Sequence, residues 1–86
     1  MNNQKLEANF SVLTMSIASS AVMALGLAPD PQTQKIHKDK NMAKFNIDLL
    51  MMLKDKTKGN LSPEESQFIE SVISDLQMKF VHENKA

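Results

Sequence analysis

Apolar side chains recur at three- and four-residue steps in three stretches of the chain, which is the spacing of amphipathic helices rather than strands. The clearest stretch holds Phe68, Ile69, Val72, Ile73, Leu76 and Phe80. At about 100° per residue these six fall on one stripe, with Glu70, Ser71, Ser74 and Gln77 opposite. Ser62-Pro63-Glu64-Glu65 marks its start. The Ser62 hydroxyl can accept from the free amide of Glu65, the Glu65 carboxylate can return the bond, and Pro63 suits a first position whose N–H has no partner anyway. A half-buried helix over about 63–82 is predicted.

A second helix is predicted over about 39–58. Met42, Phe45, Leu49, Met52 and Leu53 form its main apolar stripe; Ile47, Leu50 and Met51 form another on a different side, and Lys44, Asp48 and Asp55 keep a narrow face wet. Gly59 after Lys56-Thr57-Lys58 is the expected stop. Glycine takes the left-handed position readily, and lysines favour the negative helix end. Only Gly59 to Ser62 separates this helix from the next, which makes the two an antiparallel hairpin.

The first helix, expected over about 10–26, lies in a stretch from Phe10 to Ala28 that carries no charge over 19 residues. Phe10, Leu13, Ile17, Ala21 and Ala24 share one face; Val12, Met15, Val22 and Met23 lie nearly opposite, and Ser16 and Ser20 fill a gap between. A helix apolar on two sides is covered on two sides. One side is expected to pack on the hairpin and the other to meet something else. The loop 27–38 follows, stiffened by Pro29-Asp30-Pro31. Residues 1–8 and 83–86 are expected to fray. Together these elements predict one all-α domain of three helices.

Composition narrows the function classes. The 86 residues include no cysteine, so a disulfide scaffold and a thiolate metal site are excluded. There is no arginine, tryptophan or tyrosine, and ten basic side chains balance ten acidic ones. Without guanidinium clamps, a basic surplus or a stacking platform, nucleic-acid binding is not expected. Residues 35–58 carry seven Lys against three Asp, whereas 59–86 carry two Lys against five acids, a modest support for pairing the hairpin arms.

Nineteen uncharged residues touch the lower limit for a bilayer span. Ser11, Thr14, Ser16, Ser19, Ser20 and Gly26 lower the hydrophobicity well below that of a typical span. A cleaved leader fits poorly, because Glu7 cancels Lys5 and cleavage after Gly26-Leu27-Ala28 would expose Pro29. The expectation is a core helix in a cytoplasmic protein, for which the absence of cysteine is suitable.

Four blocks of this sequence resemble a bacterial family of small uncharacterised proteins, the domain-of-unknown-function family numbered 1844. They are Phe10-Ser11 with Ser16-Ile17-Ala18-Ser19-Ser20-Ala21; Leu25-Gly26 with Pro29-Asp30-Pro31; Ile47-Asp48-Leu49-Leu50 through Lys56-Thr57-Lys58-Gly59-Asn60-Leu61; and Asp75-Leu76 through Phe80-Val81. The resemblance implies a compact all-helical protein and brings no activity with it. Gln34 stands where the family usually has a turn glycine, and Gln77 and Lys79 stand where arginines are common.

Candidate chemistry is sparse. Lys56-Thr57-Lys58-Gly59-Asn60 lacks the spacing of a phosphate loop and reads as a helix end. Ser16, Ser19 and Ser20 could reach only His37 or His82 as a neutral base, and they read as small residues that let helices approach. His37 with Asp39 and His82 with Glu83 have no ligand spacing, so no metal or cofactor is expected. Lys35, His37, Lys38, Lys40 and Lys44 form the candidate anion contact. Six methionines besides Met1 are expected mainly to fill the core, with Met51, off the main stripe of its helix, the one expected to face a partner.

These readings point to a non-enzymatic interaction module that forms a homodimer through Val12, Met15, Ser19, Val22 and Met23 of the first helix. An unidentified protein partner would use the same face. The alternative is peripheral membrane or lipid association through the uncharged helix 10–28 and the basic loop 35–44.

Overall fold

Asn9 opens the first helix, its side-chain oxygen accepting from the Val12 amide at 2.8 Å. The structure, a computed structural model, describes residues 9–83. The expectations for residues 1–8 and 84–86 lie outside the described residues. Three helices follow in order: α1 Phe10–Ala24, α2 Lys40–Lys56 and α3 Pro63–Glu83, with no strand among the described residues.

Each boundary has a local cause. α1 stops at Ala24, short of the expected 26, because Gly26 takes a left-handed φ of +80°. The Gly26 and Leu27 amides then turn back to the carbonyls of Met23 and Val22, at 3.0 and 3.1 Å. Asp39 caps α2 by accepting from the Met42 amide at 3.1 Å. α2 ends at Lys56 and is capped by Thr57, whose hydroxyl donates to the Leu53 carbonyl at 2.7 Å, and Gly59 carries the chain away at φ +87°. The reciprocal bonds of Ser62 and Glu65 start α3, at 2.9 and 3.1 Å. Glu83, expected to fray, remains helical, and its carboxylate meets Lys38 at 3.4 Å.

The core is small and its α1 side is built from small residues. Thr14, Ala18, Ala21 and Ala24 of α1 are buried, and so are Ala43, Asn46, Ile47 and Leu50 of α2. α3 contributes Ile69, Ile73 and Leu76, with Phe68, Val72 and Phe80 half-buried beside them as the stripe predicts. α1 packs most extensively on α2. Alanine on both sides lets two backbones approach closely, which large side chains would prevent. Lys54 meets Glu70 at 3.8 Å and Met51 meets Gln77 at 3.5 Å. Contacts that step backward along α2 thus step forward along α3.

The molecule measures 38 × 36 × 15 Å. Packed helices stand about 8–10 Å apart with Cα atoms about 2.3 Å from each axis, so 15 Å is two helices thick. So thin a body has room for few buried positions, and apolar residues beyond that number stay outside.

Three sequence expectations are corrected by this arrangement. The inner line of α1 is Thr14, Ala18 and Ala21, whereas Leu13 is about half exposed. Ser16 and Ser19 are exposed and Ser20 is half-buried, so the close approach expected of the serines is made by the alanines. The methionines likewise do not fill the core. Met15, Met42, Met51, Met52 and Met78 are exposed, and Met23 is half-buried.

Candidate interaction surface

The two sides of α1 meet different surroundings. Val12 and Met15 each leave 47% of their surface open, and Ser19 beside them is exposed. Val22 is different: it is half-buried and packs against the core. Met23 turns toward α2, where it lines a cavity of about 410 Å³ together with Ser20, Ala24 and Met42. The expected α1 face is therefore divided, with Val12, Met15 and Ser19 outward and Val22 and Met23 at its borders.

α2 adds a larger apolar surface. Most of its main stripe faces away from the core: Met42, Phe45 and Met52 are about half exposed and Leu49 is half-buried, whereas Leu53 packs against the core. The buried face is instead the second stripe, Ile47 and Leu50, joined by Ala43 and Asn46. Asn46 tolerates burial because its amide donates to the Met42 carbonyl one turn back, at 2.9 Å. Met51, Lys54, Asp55 and Lys58 line the groove against α3, so the Met42 stripe occupies the side of α2 that borders α1. The patterning alone did not reveal this side, because it counts apolar residues and not how close a neighbouring backbone comes.

The basic residues do not form one cluster. Lys38 reaches the carboxylate and carbonyl of Glu83 at 3.4 and 3.3 Å. Lys44 pairs with Asp48 on its own helix at 3.0 Å. Lys35 and His37 line the small cavity with Asp30 and Asp39, whose carboxylates oppose the Lys35 charge, and Lys40 opens α2.

Ser20, His37 and Asp39 share that cavity too. The Ser20 hydroxyl, however, donates to the Ser16 carbonyl at 3.3 Å, the back-bond usual for serine inside a helix. His82 is exposed at the end of α3. No group of three His, Asp or Glu side chains that could hold a metal occurs among the described residues. Nor is any helix among them long and apolar enough to cross a membrane.

Residues 7–82 match the model of DUF1844, a domain of unknown function. The chain belongs to the DUF1844 family. The match takes in α1 and α2 whole and all of α3 except its last residue, so the family's unit is this three-helix body. Neither the curated proteins nor the solved structures give a match. Gln34 sits at φ +60°, a left-handed setting that suits glycine.

Proposed function

We propose that this DUF1844 protein is a non-enzymatic module that works by self-association, as a homodimer in the cytoplasm. The carrying observation is that α1 leaves Val12 and Met15 half open while its inner side is already filled by alanines. A second copy would cover Val12, Met15, Ser19 and Met23. Two-fold pairing is the commonest way to close a patch that can match itself. Exposed methionines suit such contacts, since a flexible thioether adapts to an irregular surface.

Sedimentation of the full chain at low micromolar concentration tests this reading. The expected mass is twice 9.6 kDa. Val12→Lys should return it to the monomer with an unchanged helical spectrum, because Val12 lies outside the core. Val22→Lys is a poorer probe, since that side chain packs on the core. A wild-type monomer that binds no dye for exposed apolar surface would overturn the proposal. Flotation of a monomer with anionic vesicles at low salt, lost when Lys35 and Lys40 are neutralised, would replace it with lipid association.

A further inference from the structure

Met51 is an apolar side chain among hydrogen-bond donors. It lines the groove between α2 and α3, a cavity of about 670 Å³, together with Lys54, Ser74 and Gln77. The Gln77 side-chain amide donates to the Met51 sulfur at 3.5 Å. No other thioether among the described residues accepts a hydrogen bond. A thioether is a weak acceptor, so the bond draws little from a good amide donor. Lys54 and Glu70 span the same seam at 3.8 Å, an exposed pair that adds little to stability. A stronger acceptor at Met51 would therefore bear directly on how firmly α3 is held to α2.

The sequence decides which chemistry reaches that sulfur. With no cysteine, tryptophan or tyrosine in the chain, the thioethers are its readily oxidised groups. Met51 leaves 45% of its surface open to solvent. We propose that Met51 is a modification site at which a peroxide converts the thioether to a sulfoxide, and that the new oxygen takes the Gln77 N–H and ties α3 more firmly to α2. The sulfur lone pair attacks one oxygen of hydrogen peroxide. An S–O bond forms as the O–O bond breaks, the proton on the transferred oxygen passes to the departing one, and water leaves. The sulfur is oxidised by two electrons and the peroxide is reduced by two. The product is polar and finds donors already in place, from Gln77 and from the Ser74 hydroxyl and Lys54 ammonium that line the same groove.

Position sets Met51 apart from the other methionines. The buried core is built of alanine, leucine and isoleucine, so oxidation of half-open thioethers leaves it intact. Met42 and Met52 lie with Phe45 and Leu49 on the outward apolar stripe, where a polar oxygen disturbs apolar contact and lowers stability. Met78 is 71% exposed, so its sulfoxide changes little. A stabilising sign is expected at Met51, where a donor already points at the sulfur. Met51 stands outside the α1 face proposed for self-association, so this inference and that reading fail separately.

The test uses the full chain with Met15, Met23, Met42, Met52 and Met78 each replaced by leucine, a nearly volume-conserving change, so that Met51 is its one internal thioether. Hydrogen peroxide is added, and peptide mass spectrometry locates the oxygen gained. Oxidation at Met51 should raise the thermal midpoint by about 4 °C and move the side-chain amide resonance of Gln77. Gln77→Leu in the same background should abolish the rise while leaving Met51 oxidised. If the five-leucine chain does not fold, wild type and Met51→Leu are compared. The peroxide-induced midpoint change should then be more positive in wild type by the same amount. A Met51 that stays a thioether while Met78 of the wild type is oxidised overturns the proposal. So does a midpoint that falls or stays put on oxidation of Met51, or a rise that survives Gln77→Leu.

Discussion

The backbone N–H of Asp39 donates to the carbonyl oxygen of Ala24 across 2.8 Å, joining the cap of α2 to the last residue of α1. Asp39 also receives the Met42 amide at 3.1 Å. One residue therefore closes the loop between the helices and starts the second of them. With that end pinned and Ala43 pressed into the core, α2 has one rotational setting, and that setting sends Phe45 and Met52 outward.

The close approach of α1 and α2 depends on small side chains. Ala21 and Ala43 have no exposed surface. Ala43→Leu should destabilise the fold by about 1–3 kcal/mol, through forced rotamers and displaced backbone. Urea unfolding followed by circular dichroism measures this. A loss below about 0.5 kcal/mol would mean that the gap between the helices is wider than described.

Thr14 is fully buried, and its hydroxyl has no hydrogen-bond partner. Thr14→Val keeps the branched shape and removes the orphaned group, so stability should rise by about 1 kcal/mol. In thermal unfolding that corresponds to roughly 4–8 °C for a domain of this size. Thr14→Ser keeps the polar atom and loses the methyl, and it should lower the midpoint.

Two turn positions should respond in opposite directions to exchange with glycine. Gly26 has φ +80°, and a Cβ there would stand 3.4 Å from Lys38 Cβ. Gly26→Ala should cost about 1–2 kcal/mol, because a side chain is strained in that conformation. Gln34 already bears such strain at φ +60°, while its amide donates to the Asp30 carbonyl. Gln34→Gly keeps that bond and should be neutral or stabilising by up to about 1 kcal/mol. Chemical denaturation of both variants beside the parent decides the signs.

Ser62 and Glu65 hold the start of α3 by bonds of 3.1 and 2.9 Å. Ser62→Ala removes one of them and should lower stability by about 1 kcal/mol. Amide exchange should accelerate most at Glu65, whose N–H loses its acceptor. Uniform acceleration over all three helices would instead indicate that this end governs global opening.

Helix number and nearly every boundary were written locally. Asn9, Asp39 and Ser62 cap, Gly26 and Gly59 stop, and the Phe68 to Phe80 stripe sorts inside from outside, because each acts through the backbone within a turn of itself. The α3 stripe was legible because that helix has a single apolar side. α1 and α2 have two each, and spacing alone cannot rank them. That ranking came from distance between helices: alanines at Ala18, Ala21 and Ala43 permit the nearest approach, so they took the core and left the bulkier Phe45, Met42 and Met52 half in solvent. Patterning counts what is apolar along one segment, whereas the packed body selects what fits between two.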